Sequence, residues 1–175
     1  MHWAAEQAWL HDGGRNLNIH PKVRVYWMGH RGMRWQGLMP LISRTAARYG
    51  PPEVLILQLG ENDLVELKGI ELVLAAKADI AQLHALYPAM TIGWSYLLPR
   101  LRWRGVPNPS RINHAVEKIN RAIRNFMRLV GGFTIPHPTI RADAPGIFRD
   151  DGVHLTSVGN DIWLRDLRQA LLNGN

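Results

Sequence analysis

The sequence predicts an α/β protein, a three-layer α/β/α sandwich in which helices cover both faces of a parallel sheet. Strand-like segments alternate with segments of helical period along the chain. The segment Val54–Leu59 is almost continuously apolar, which is typical of a strand buried on both faces of a parallel sheet. Strands that alternate with helices are joined by right-handed crossovers and therefore run parallel.

Four segments have the composition of strands. Val23–Gly29 is rich in β-branched and aromatic residues and ends at a glycine. Val54–Leu59 follows it, and the third strand is expected over Met90–Leu98, closed by Pro99. Phe133–Ile135 is a short fourth strand. These segments would form the sheet.

Four segments have helical character. The first is Leu38–Tyr49, which a Gly-Pro-Pro breaker ends. Apolar residues recur at steps of three and four over residues 70–87 and over 110–130, where Ser110 is expected as the N-cap. The last helix begins near Thr156. Each helix is long enough to cross over between parallel strands.

The length of 175 residues predicts a single domain, residues 1–175. An apolar fraction of 46% with 20% charged residues is ordinary for a globular protein, and no apolar run approaches the length of a membrane span. The N-terminus lacks the pattern of a secretory signal, and the chain has no cysteine. An intracellular location is therefore favoured.

The formal charge of +7 and the isoelectric point near 10.4 favour an anionic partner. Basic residues concentrate around Trp103 and along the predicted helix 110–130. Arginines beside a tryptophan could contact phosphates and stack on bases, which indicates nucleic acid. The residues expected to make these contacts are Arg100, Arg102, Arg104, Arg121 and Arg124. The alternative is a solvated helix face and a basic loop, because most charge runs are no more than that.

Two short motifs contain the candidate catalytic residues. Gly60-Glu61-Asn62-Asp63 directly follows the strand 54–59, and Asp151-Gly152-Val153-His154 follows the strand 133–135. A carboxylate three residues before a histidine can orient the ring so that its other nitrogen acts as a base. An asparagine after a strand-ending glycine can donate its amide N–H to an oxyanion. In isolation, either motif is more often an ordinary turn or a capped loop. The carboxyl ends of parallel strands share one edge of a sheet, so both motifs are expected there.

In order and spacing, these motifs resemble the SGNH, or GDSL-type, hydrolases, whose fold is flavodoxin-like. The GxND block of that family matches residues 60–63, and its DxxH block matches Asp151 and His154. The resemblance implies that His154 is the base, that Asp151 orients it, and that Gly32 and Asn62 form the oxyanion hole. Gly60 and Asp63 would support the cleft. The sequence is also similar to SGNH-like domains of vertebrate retroelement-derived sequences.

The family's first block, a strand that ends in a Gly-Asp-Ser or Gly-His-Ser turn, has no counterpart in this chain. The resemblance places that strand between the strands 23–29 and 54–59, so the sheet is expected to be defective there. The segment His2-Trp3-Ala4 resembles the helix beyond the serine. We therefore expect an N-terminally truncated hydrolase domain whose nucleophile is unknown.

The four serines of the chain do not fill the role of the nucleophile. Ser43 lies in a predicted helix, Ser95 lies within a strand, and Ser110 and Ser157 lie at helix starts. The remaining histidines show no metal-ligand spacing, so neither a metal nor a cofactor is expected. They are His2, His11, His20, His30, His84, His114 and His137.

Two functions of different class follow. The first is an SGNH-type esterase or acyl hydrolase that acts on a small ester and is inactive in this form. The second is a non-catalytic basic domain that binds nucleic acid or a protein partner in a retroelement-derived protein. A Gly-x-Ser turn encoded upstream would favour the first.

Overall fold

The computed structural model describes Ala8, residues 14–19, Pro21 and residues 23–173. These residues group into two compact units. The sheet unit comprises Met33–Leu97 and Trp103–Ile135. The terminal unit comprises the described residues up to Gly32, Leu98–Arg102, and the described residues from Pro136 onward. The single domain expected from the length stays a prediction, and the segment His2-Trp3-Ala4 lies outside the described residues.

The sheet unit contains three parallel strands in the order β1, β2, β3. They are β1 (Val54–Leu57), β2 (Thr91–Ser95) and β3 (Phe133–Ile135). Leu57 pairs with Trp94, and Ser95 pairs with Ile135. This sheet, with a helix in each crossover, confirms the predicted α/β class.

The described residues form four α-helices. Three lie in the sheet unit, namely α1 (Leu38–Tyr49), α2 (Gly69–Leu86) and α3 (Pro109–Leu129), and a 3-10 turn over Trp35–Gly37 leads into α1. The fourth, α4 (Ser157–Leu172), belongs to the terminal unit, and Thr156 caps it by accepting the N–H of Gly159 at 3.2 Å. No helix in the described part of the chain is both long enough and apolar enough to cross a membrane.

The prediction of Ser110 as the N-cap of the third helix is wrong. Asn108 is the cap, because its Oδ1 accepts the backbone N–H of Ser110 at 3.0 Å. Pro109 then occupies the first helical position, where its missing N–H has no intrahelical partner to lose. The cap and the start of the helix therefore lie two residues earlier than predicted.

The core of the sheet unit lies where α2 and α3 pack together against β2. Trp94 of β2 is fully buried there, and its Nε1–H donates to Asn120 of α3 at 3.2 Å. Asn120 also accepts the N–H of Leu97 and donates to the carbonyl of Leu97. This buried amide is satisfied on both sides, so it fixes α3 against the segment that follows β2.

The predicted strand Val23–Gly29 is not a strand, since its residues pair with no described strand. A strand needs a backbone partner, and here Val25 N–H donates instead to the Asn16 side chain. Trp27 packs its ring 6.1 Å from that of Trp163. The segment is rich in β-branched and aromatic residues, but composition alone does not supply a neighbouring strand.

The Trp103 ring is not exposed for stacking on a base. Trp103 is 3% exposed, and its Nε1–H donates to Asn113 at 2.9 Å. A ring buried in the core of the sheet unit offers no face to a base.

Candidate functional site

Asp151 and His154 are hydrogen-bonded in the terminal unit. Asp151 Oδ2 lies 2.8 Å from His154 Nδ1. The other carboxylate oxygen accepts the backbone N–H groups of Val153, at 2.8 Å, and His154, at 2.9 Å. Both side chains are partly open to solvent, with exposures of 43% for Asp151 and 55% for His154. The carboxylate is therefore fixed while the ring stays accessible.

The loop that carries this pair is closed by backbone contacts. Phe148 and Leu155 form an antiparallel bridge, and Arg149 N–H donates to the carbonyl of His154 at 2.8 Å. Gly152 turns the chain with φ of +67°. A Cβ at this position would lie 2.9 Å from Arg102 Cγ and 3.0 Å from Leu101 Cβ. Glycine is required here because of both its backbone angle and this close approach.

The environment of Asp151 favours its charged form. Partial desolvation alone would raise its pKa. The hydrogen bonds from the backbone and ring of His154 and from Val153 N–H, with the electrostatic effect of His154, outweigh that effect and hold the pKa well below its ordinary value. Asp151 is therefore ionised near neutral pH. An ionised carboxylate at Nδ1 favours the tautomer in which Nδ1 carries the proton and Nε2 is the acceptor.

The second motif forms a tight turn after β1 in the sheet unit. Gly60 has φ of +130°, and its carbonyl accepts the N–H of Asp63 at 3.1 Å. The carbonyl of Asp63 then accepts the N–H groups of Glu66 and Leu67. The turn is therefore built from local hydrogen bonds directly after β1.

Three contacts tie this turn to the segment before α1. The Asn62 amide donates to the carbonyl of Met33 at 3.0 Å. The Asp63 carboxylate accepts the N–H of Trp35, at 3.0 Å to Oδ2. Arg34 forms a bidentate ion pair with Glu66. The first of these contacts fixes the position of the Asn62 side chain.

Asp63 is buried, with 4% of its surface exposed. Burial raises the pKa of this carboxyl, and the opposing effects are the hydrogen bond from Trp35 N–H and the positive charge of Arg34. Its role in the structure is to join the turn to the 3-10 turn that starts at Trp35.

The sequence analysis missed one buried network at the same strand ends. Ser95 donates its hydroxyl to Gln58 Oε1, and Gln58 Nε2 donates to Glu61 at 2.7 Å. Gln58 and Ser95 are both buried. The available signal was Gln58 itself, which is a polar residue inside an otherwise apolar segment. The network fixes the entry to the Gly60–Asp63 turn.

The structure thus brings the predicted site residues together in two groups. Asp151 and His154 form one group in the terminal unit, while Gly60, Asn62 and Asp63 form the other in the sheet unit. Gly32 directly precedes Met33 in the chain and has φ of +68°, with no heavy atom within 4 Å of an added Cβ. The catalytic roles of these residues stay predictions.

The structure also contains a second pair of histidine and aspartate, His137 Nδ1 and Asp166 Oδ2, 2.9 Å apart. The His137 side chain is 1% exposed, so the ring has almost no surface to offer a substrate. Within the described residues, no cluster of three or more histidine and carboxylate side chains could hold a metal ion.

Solved structures resemble this chain over most of its length. A GDSL-like lipase from Bacteroides thetaiotaomicron has a TM-score of 0.66 at 15% identity and covers 82% of this chain and 73% of its own. A carbohydrate esterase of family 3 from Talaromyces cellulolyticus has a TM-score of 0.65 at 17% identity, with coverages of 88% and 76%. The esterase domain of the ORF1 protein of a zebrafish retrotransposon has a TM-score of 0.50 at 20% identity, with coverages of 87% and 89%.

No family model and no curated protein matches this sequence. At the identities of the structural matches, the likeness concerns the fold. The chain has the fold of the SGNH/GDSL-type hydrolases, as the two motifs indicated.

Proposed function

We propose that this chain carries the base and the oxyanion-binding residues of an SGNH-type ester hydrolase site. The observation that carries the proposal is the Asp151 and His154 pair, with Nδ1 2.8 Å from an ionised carboxylate and a partly exposed ring. In this site His154 Nε2 accepts the proton of an attacking hydroxyl, and Asp151 holds the ring in the correct tautomer.

The oxyanion is bound by the Gly32 backbone N–H and the Asn62 side-chain amide. Asn62 suits this role because its side-chain amide is a hydrogen-bond donor whose orientation is fixed by the carbonyl of Met33. Loss of one such donor costs about 3 to 4 kcal/mol of transition-state stabilisation in a well-studied protease. The substrate class is a carboxylic ester.

The reaction requires a serine hydroxyl from outside the four serines of this sequence. Ser95 is fully buried and donates to Gln58, and Ser43 lies on α1. Ser110 and Ser157 lie in the first turns of α3 and α4. The supplied serine attacks the ester carbon, His154 takes its proton and returns it to the departing alcohol, and water then releases the acid by the same steps.

The test adds a block that carries a serine to the N-terminus of the chain. The chain is extended at its N-terminus by a strand that ends in Gly-Asp-Ser, and a matched protein ends that strand in Gly-Asp-Ala. We expect the serine form to hydrolyse short aryl acetates at least about a thousandfold faster than the alanine form. His154→Ala in the serine form should remove that difference, whereas His84→Ala on the exposed face of α2 should not.

Circular dichroism and cooperative unfolding verify that each extended protein is folded. A folded serine form that is no faster than the alanine form would contradict the proposal and favour a domain that has the fold without the chemistry. Equal rates with and without His154 would also contradict it, because the base would then lie elsewhere.

A further inference from the structure

Helix α3 carries several positive charges on its exposed face. Its opposite face is buried in the core of the sheet unit through Ile112, Val116, Ile119, Ile123 and Met127. The exposed face carries five cationic side chains, which are Arg111, Lys118, Arg121, Arg124 and Arg128. We call this set the α3 basic face.

Among the described residues, no carboxylate pairs with any of these five side chains. The acidic residue that α3 carries on this side, Glu117, lies 3.7 Å from His114. Two arginines elsewhere in the described structure do form ion pairs, Arg34 with Glu66 and Arg141 with Asp143. The α3 basic face therefore keeps its full charge for an external anion.

The α3 basic face is long. Arg111 and Arg128 are 17 positions apart on a continuous helix, a distance of about 25 Å at the helical rise. Near the start of the helix, Arg111, His114 and Lys118 line a surface depression of about 500 Å³ together with Asn108 and Ser110. A basic face of this length matches an extended polyanion better than it matches a single small anion.

We propose that the α3 basic face binds the phosphate backbone of a nucleic acid. Four of its five cations are arginines, whose planar guanidinium groups bind phosphate oxygens in pairs. A membrane surface fits less well, because an amphipathic membrane helix presents its apolar face to lipid, and the apolar face of α3 is already buried in the protein. Leu129, at the end of the helix, is its one large apolar residue that is strongly exposed in the described structure.

Two arginines of the loop before α3 have contacts within the protein, so the proposal does not rest on this loop, and its predicted contacts with nucleic acid stay predictions. Arg104 lies close enough to Glu66 to help lower the pKa of that carboxyl, after the larger effect of the hydrogen bond from Arg34. Arg102 packs its stem near Gly152 and donates its backbone N–H to the Gly152 carbonyl. Of the residues predicted to contact nucleic acid, Arg121 and Arg124 therefore carry the proposal.

The test measures binding of a labelled 20-nucleotide single-stranded RNA to the 175-residue chain by fluorescence anisotropy between 50 and 200 mM KCl. Arg121→Gln with Arg124→Gln removes two charges from the α3 basic face. Arg44→Gln with Arg48→Gln removes two charges from the exposed side of α1 and serves as the control. Glutamine forms helices about as well as arginine does, so both variants should fold.

We expect the α3 variant to bind at least about tenfold more weakly at 100 mM KCl and to lose about 1.4 from the slope of log affinity against log salt. The α1 variant should keep the slope of the parent chain. Equal weakening by both variants would overturn the proposal, because binding would then reflect net charge. Absent binding at 50 mM KCl, or binding to phosphatidylserine vesicles but not to RNA, would also overturn it. None of these outcomes bears on the ester hydrolase site.

Discussion

The Asp151 carboxylate binds His154 at two points, the ring and the backbone. Oδ2 lies 2.8 Å from Nδ1, while Oδ1 accepts the His154 backbone N–H at 2.9 Å. One side chain therefore sets both the position of the loop and the direction of the ring. This arrangement suits a base whose tautomer must be fixed before the reaction begins.

The 175-residue chain by itself should turn over short aryl esters at little more than the background rate. Removal of the serine alone costs on the order of a million-fold in a well-studied protease, which leaves only the contributions of oxyanion binding and substrate binding. Release of nitrophenol measures the rate, and a fluorophosphonate probe should label no serine. A serine-dependent rate within roughly tenfold of that of a typical esterase would show that one of the four serines is the nucleophile.

The contributions of Asp151 and Asp63 to the free energy of unfolding should depend on pH in opposite directions. The folded-state pKa of Asp151 is lowered, so its stabilising effect is present above its unfolded-state pKa of about 4 and is lost as the pH falls. The folded-state pKa of Asp63 is raised by burial, so its effect is present below about pH 4 and is lost as the pH rises through the folded-state pKa.

Urea unfolding at pH 3, 5 and 7 tests these signs. Asp151→Asn should cost about 1 kcal/mol or less at pH 7, since the pair is partly exposed, and the cost should shrink toward pH 3. Asp63→Asn should cost less at pH 7 than at pH 3. If the loss of unfolding free energy changed with pH in the same direction for both variants, the environments of the two carboxyls would not be as described.

Much of the fold follows from local sequence patterns. The bounds of α1 and β3 are those predicted, and those of α2 differ by one residue at each end. The helices could be predicted because a buried apolar stripe is a strong signal. The segment Val23–Gly29 shows the limit of this reasoning. Its composition is that of a strand, yet strand formation depends on a neighbouring backbone that composition does not reveal.

The same distinction applies to the site. Asp151 and His154 are three residues apart, so their contact follows from local geometry. Ser95 and Gln58 are 37 residues apart, and only the parallel pairing of β1 with β2 brings them together. The sequence contains no local pattern that predicts this contact.

Gly152→Ala should destabilise the chain more than Gly146→Ala. The two glycines have similar backbone angles, with φ of +67° and +73°. A Cβ at Gly146 meets nothing within 4 Å, whereas one at Gly152 meets Arg102 Cγ at 2.9 Å. We expect about 1 kcal/mol for Gly146→Ala from the backbone angle alone, and about 2 kcal/mol or more for Gly152→Ala. Equal losses in urea unfolding would show that the loop can move away from Arg102.

The unpaired edge of β1 should limit the solubility of the chain. Within the described sheet β1 pairs with β2 alone, and Val54 is 41% exposed. An exposed apolar strand edge promotes association between copies, so we expect aggregation and an unfolding free energy below the usual range of roughly 5 to 15 kcal/mol. Val54→Lys should raise the soluble fraction in sedimentation while changing the unfolding free energy by no more than about 0.5 kcal/mol. A monomeric parent chain of ordinary stability would contradict this view of the edge.

The proposed function requires that His154 and Asn62 act on the same reacting atom, and a titration of the ¹⁵N-labelled chain with methylphosphonate tests this requirement. This anion has tetrahedral geometry like that of the oxyanion intermediate. We predict that the His154 ring and the Asn62 side-chain amide shift with a single dissociation constant, and that His154→Ala weakens the response at Asn62, because a base and an oxyanion donor must both lie near one atom about 3 Å away. Shifts at only one of the two groups, or two different constants, would contradict the proposed function.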